Sequence, residues 1–199
     1  PQAPPINYVI NSGGLFLDMT IHDFDMARFL VDKEVEEVYA KGAALVNQEL
    51  AKVGDIDTAV ITLTYQDGTM AIIDNSREAS YGYDQRVEVF GSKGMVKADN
   101  NLHDTHRLFD TKGSHGALPL DFFIDRYMDA YKKEIVAFTE SLTKGFDIPV
   151  SGNDGLQSLV IGLAAIKSIK ENRPVKVSDI DYKQEISMIN KEMISKMMD

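Results

Sequence analysis

The 199-residue chain has no cysteine. That excludes disulfides, thiolate nucleophiles and thiolate-bound zinc together, and it fits a reducing, cytoplasmic setting. No apolar run approaches the ~20 residues of a membrane span. Positive charge is scarce: 21 Lys and Arg stand against 31 Asp and Glu, a formal net charge of -10. Such a chain repels nucleic-acid phosphates and anionic membrane surfaces. There is no G-x-G-x-x-G, so no dinucleotide fingerprint is present. The start, "PQAPPINYVINSGG", has neither a basic n-region nor an apolar h-region, and its first residue is Pro. It reads as a piece of a longer protein rather than a signal peptide.

What remains is ordinary for a globular chain, 44% hydrophobic and 26% charged. The proline-rich residues 1–11 read as extended. Ser12 is placed to cap a helix from Gly13 or Gly14 to about Val31. Residues 34–46 read as a strand and 47–55 as a loop. Residues 56–76 carry the strongest strand signal: Ala59, Ile61, Leu63 and Tyr65 alternate with threonines and Val60, and Asp67-Gly68 supplies a hairpin turn. A second hairpin turns at "SKG" (92–94), where "GSKG" joins two strands and is a turn, not a phosphate loop. Further strands are expected at 105–111 and 114–118. Asp121 opens a helix ending at Gly145, with Ile124, Tyr127, Met128, Tyr131, Ile135, Phe138 and Leu142 as its apolar stripe. "SGND" (151–154) resembles a capping box, for a helix ended by Asn172 and Pro174. The tail from 182 places Ile189, Met193 and Met197 on one helical face. Helix, strands, then helices is an α+β order: an open, mostly antiparallel sheet with helices packed on one face. Its other face, rich in threonine, suggests a partner surface.

The unusual stretch is "GGLFLDMTIHDFDMARFL" (13–30), apolar yet carrying Asp18, His22, Asp23 and Asp25. On a regular helical wheel, Leu15, Met19, Met26 and Leu30 make one apolar face, and Leu17, Ile21 and Phe24 another. Asp18, His22 and Asp25 run between them at spacings that let neighbours touch. A carboxylate beside an imidazole favours its protonated form and fixes its tautomer, the arrangement of an oriented general base. Spacing alone favours a plainer reading, a core histidine satisfied by Asp18. A metal site on Asp18, His22 and Asp25 ranks below both, because no second ligand cluster is evident. In "SREASYGYDQR" (76–86), tyrosines could pack on a sugar-like ring, or simply on one another.

These two stretches, "SGGLFLDMTIHDFDMARFL" and "DNSREASYGYDQRVEVFGSKGMV", resemble the glucose-fructose oxidoreductase-like (Gfo/Idh/MocA) family. Within it they are most similar to the C-terminal domain of the inositol 2-dehydrogenase branch. The likeness runs over roughly residues 3–177. The resemblance implies a C-terminal substrate and oligomerisation domain over 1–181, truncated at its N-terminal edge, then a helical tail at 182–199. It implies an absent N-terminal Rossmann domain that carries NAD, the cofactor-binding residues and a catalytic lysine. The polyol would lie in a cleft between the two domains. By resemblance His22 is the acid/base group, Asp18 orients it, and hydride passes to the nicotinamide. Tyr83 matches a substrate-pocket tyrosine, with Tyr131 and Met19 as further substrate contacts and no metal. The implied activity is oxidation of myo-inositol, or a related cyclitol, to an inosose, in a homo-oligomer expected to be a tetramer. The fragment alone is expected to be inactive. The alternative is a non-catalytic oligomerisation or sugar-binding module.

Overall fold

The computed structural model describes the backbone of residues 4–198 and side chains through Lys191. The side chains of Met193 and Met197 lie outside the described residues. Two compact units emerge: residues 78–149, and the chain up to Arg77 together with Val150 onward.

In the second unit α1 spans Ile6–Ser12, a stretch expected to be extended. Pro5 sits at its N-cap with φ −57°, where a proline loses no helical bond. Gly13, at φ 87°, ends it in the left-handed region. Ser12 therefore closes a helix rather than opening one; its hydroxyl donates to the Val9 carbonyl at 3.2 Å. The next helix begins as a π turn at Phe16–Thr20 and continues as α2, Ile21–Val31. That turn changes which residues face inward. Leu15, Phe16, Thr20, Phe24, Ala27 and Arg28 are buried and Met19 packs against the core, whereas Met26 and Leu30 are exposed, so one of the two expected apolar faces holds in its first half and fails in its second.

Strand β1 (Val35–Ala43) leads through the short α3 (Glu49–Lys52) to β2 (Thr58–Tyr65) and β3 (Met70–Ser76). After α5 (Gly152–Glu171), the two-residue β8 (Val175–Lys176) returns to the sheet. The order is β3-β2-β1-β8, antiparallel throughout. Val38, Ala40, Ala59, Ile61, Leu63 and Tyr65 point to one side and form the core with Phe16, Phe24, Ile161, Leu163 and Ala164. Alternation leaves Val60, Met70 and Ile72 exposed on the other. The capping box forms as its sequence predicts, and Asn172 closes α5 in the left-handed region. Helix α6 (Tyr182–Met198) follows a 3-10 turn at Val177–Asp179, and Ile186 and Ile189 pack against the core.

The 78–149 unit holds two antiparallel ribbons and one long helix. The ribbons are β4 (Val87–Gly91) with β5 (Gly94–Ala98), and β6 (Arg107–Asp110) with β7 (Gly113–Gly116). Helix α4 (Phe123–Lys144) ends at Gly145, as expected, but its N-cap is Phe122 rather than Asp121. The fold is thus α+β with open antiparallel sheets, divided into one four-stranded sheet and two ribbons. Among the described residues no helix is long and apolar enough to cross a membrane.

Candidate active site

The three aspartates of the 13–30 stretch each have a separate protein partner. Asp18, in the π turn, accepts from Arg77 Nη1 at 3.2 Å on Oδ2 and from the Tyr8 hydroxyl at 2.8 Å on Oδ1. Asp23 accepts from Asn75 Nδ2 at 3.0 Å, and Asn75 in turn accepts from the buried Thr20 hydroxyl at 2.5 Å. Asp25 accepts from Ser158 at 3.1 Å and from Arg28 Nη1 at 3.4 Å. His22 is the remaining titratable group. It is exposed and makes no hydrogen bond among the described residues. The expected Asp18–His22 pair is therefore not what occupies the carboxylate. A guanidinium already charged and enclosed is the stronger partner.

Arg77 is the centre of this arrangement. Its side chain is 0% exposed, and Asp18 and Asp55 are 16% and 14% exposed. Nη2 donates to Asp55 Oδ2 at 3.0 Å, and Nη1 lies 3.7 Å from Met19 Sδ. Asp55 Oδ1 accepts the Leu15 amide at 3.0 Å, supplying an acceptor at the start of the helix. Gly14 has room for none but a glycine: at φ 81°, an added Cβ would stand 2.7 Å from that carboxylate oxygen. The hydrogen bond to Asp18, and its charge, push the Tyr8 phenol up from its ordinary value. Met19 is partly buried against the core as well as beside Arg77.

Next to this cluster, Asp57 is enclosed and holds its loop through the amides of Leu45, Val46 and Asn47, at 2.9, 2.9 and 2.7 Å. Burial alone would push its carboxyl up. Those amides and the Thr58 hydroxyl outweigh it and hold it below the ordinary carboxylate value.

Tyr83 and Tyr131 belong to the 78–149 unit. The Tyr83 amide donates to the Leu120 carbonyl at 2.8 Å, and its ring meets Tyr127 edge-on at 5.9 Å. Tyr131 lies on α4, about half exposed. The loop before β4 is tied by Asp84, which accepts from Arg86 at 2.7 and 2.9 Å, from Asn100 at 2.5 Å and from the Tyr81 hydroxyl. The Arg86 contact leads in pulling the Asp84 carboxyl down to about 2. His106 pairs with Asp104 on the surface. Among the described residues no group of three or more acidic or histidine side chains is placed to hold a metal ion.

In the sequence Arg77 is one residue of the 76–86 stretch and Asp55 the last of the 47–55 loop, and nothing local marks either. The partners of Arg77 stand 59 and 22 positions away, so no local pattern reports them.

The family model of the GFO/IDH/MocA C-terminal domain matches residues 3–97. The myo-inositol 2-dehydrogenase of Thermotoga maritima is 51% identical over 180 residues, which is 90% of this chain and 54% of that protein. Among solved structures, a myo-inositol dehydrogenase from Corynebacterium glutamicum superposes with a TM-score of 0.85 at 41% identity, over 88% of this chain and 53% of its own. The scyllo-inositol dehydrogenase of Lactobacillus casei, solved with bound NAD(H) and scyllo-inositol, gives 0.79 at 31% identity, over 87% and 52%. The chain spans about half the length of the curated relatives it matches.

Proposed function

Since the chain belongs to the GFO/IDH/MocA family as its C-terminal domain, we propose that it is the substrate and acid/base half of a cytoplasmic, NAD-dependent inositol 2-dehydrogenase. The substrate is myo-inositol or a related cyclitol, oxidised to an inosose. The names of the relatives support the substrate class, and the NAD(H) bound to the Lactobacillus casei enzyme supports the cofactor. The residues present do not themselves fit a dinucleotide. Every strand pair among the described residues is antiparallel, so no parallel strand–helix–strand unit offers its helix N-terminus to a pyrophosphate. NAD belongs to a Rossmann domain outside this chain.

His22 is the acid/base group and takes the proton of the hydroxyl that is oxidised. The observation that carries this role is its isolation: the neighbouring aspartates are each engaged by protein, and of these four groups only the imidazole is without a hydrogen bond among the described residues, open to meet a ligand. By resemblance to these relatives, Asp18 is its proposed orienting residue, and Met19, Tyr83 and Tyr131 are proposed contacts to the polyol. The exposed sheet face bearing Val60, Met70 and Ile72 suits assembly into a homo-oligomer, a tetramer in this reading.

The test is NAD reduction with myo-inositol by the complete reading frame, beside His22→Ala. Loss of a positioned general base costs on the order of 10²–10⁴ in turnover, with KM little changed. Equal losses of binding and turnover would count against the acid/base role.

A further inference from the structure

Arg77 stands outside the proposed pair of His22 and Asp18, yet it fixes one half of it. The guanidinium is enclosed between Asp18 and Asp55, and the Arg77 amide donates to the Asp57 carbonyl at 2.8 Å. The residue is thus anchored at both its main chain and its tip. Stability is a weak reason for such an arrangement, because buried ion sets can often be exchanged for apolar side chains at little cost. The arrangement also has a direction. Asp18 lies in the π turn, and His22 follows one turn on along the same continuous helix. Asp55 draws on the guanidinium from its other side. One positive charge is shared between two carboxylates, so Asp18 is only partly neutralised.

We infer that Arg77 is a positioning residue for His22: it holds the Asp18 carboxylate, four residues earlier on the same helix, and by sharing its charge with Asp55 it sets the field in which the imidazole, with no direct bond to Asp18, holds a proton. This rests on the acid/base role proposed for His22. The charged and titratable groups bonded around Asp18 are Arg77, with Asp55 behind it, and Tyr8 on the other oxygen. On the helix itself Asp23 is held by Asn75, and Asp25 by Arg28 and Ser158.

The experiment is the pH profile of kcat/KM for myo-inositol oxidation with NAD by the complete protein, its Arg77→Gln, Arg77→Lys and Asp55→Asn variants, and His22→Ala. The rate rises as the base loses its proton, so the midpoint of the acid limb reports that group in the free enzyme. Arg77→Gln leaves the Asp18 charge uncompensated, favours the imidazolium and moves the midpoint up by about one pH unit. Asp55→Asn gives the guanidinium to Asp18 alone and moves the midpoint down. Arg77→Lys keeps the charge and the midpoint while kcat falls, because an ammonium cannot span both carboxylates as the guanidinium fork does. Loss of packing cannot produce displacements of opposite sign. If Arg77→Gln does not fold, Asp55→Asn decides, since it is isosteric and still accepts the Leu15 amide: a downward midpoint upholds the inference and an unmoved one overturns it. Midpoints that stay fixed, or move together, overturn it too. Turnover surviving in His22→Ala removes the acid/base reading and this inference with it; turnover lost there, with unmoved midpoints elsewhere, removes the inference alone.

Discussion

The helix from Phe16 to Val31 is held by an arginine at each end, and the two differ in where their partners sit. Arg28 makes more contacts. It grips Glu34 through two nitrogens at 2.8 and 2.6 Å and reaches Asp25 and Asp154, both at 3.4 Å. Those carboxylates are 35–54% exposed. The partners of Arg77 are 14–16% exposed. A carboxylate open to water is resolvated when its partner goes, whereas an enclosed one is stranded. Depth, rather than the number of bonds, decides what each arginine contributes.

The largest expected effect follows at the deep end. Arg77→Met should cost about 3–5 kcal/mol, because it leaves two enclosed carboxylates without a cation. Urea unfolding of the complete protein measures it, and a loss below ~1 kcal/mol would show that water reaches Asp18 and Asp55 after all. Arg28→Met should cost less, about 1–2 kcal/mol, since its carboxylates turn to solvent and a Met retains much of the packed stem. Equal losses in the two variants would end the contrast.

The smallest effect concerns acid. The Asp57 carboxyl is held below its ordinary value in the folded chain, so it adds stability above the unfolded carboxylate pKa of ~4. That contribution drains away as pH falls through the lower, folded value. Asp57→Asn should therefore melt below wild type at neutral pH, with the gap narrowing as the solution is acidified. A gap in Tm that is constant from neutral to acid would contradict the linkage.

Much of the fold was legible because its signals are local. Asp67-Gly68 turns the β2–β3 hairpin, Gly145 closes α4, and Ser151 with Asp154 caps α5, each through bonds spanning a few residues. Elements without a local signal were missed. Strand β8 is two residues long and exists through its pairing with Glu37 and Val38. Helix α1 is a seven-residue piece, too short to stand on propensity alone. Spacing correctly grouped the apolar residues of α4, yet Ile124, Met128, Tyr131, Ile135, Phe138 and Leu142 are 41–69% exposed. Period identifies which residues share a face and says nothing of what covers it. The candidate site divides the same way. The spacing of His22 and Asp18 within one helix is visible in the sequence, and a role for them comes only with the family resemblance, whereas the partners of Asp18 arrive from other elements.

The π turn at Phe16–Thr20 carries a consequence for anyone who aligns or redesigns this segment. Such a turn amounts to a regular helix with one residue inserted. Deleting that residue would give a smoother helix and rotate everything before it by about 100°. Leu15 would leave the core, and the Leu15 amide would leave the Asp55 carboxylate that receives it. A designer who idealises this helix would satisfy every local preference and dismantle the seat of Asp18. An alignment that opens a one-residue gap here would set Leu17 or Met19 in the place of Asp18.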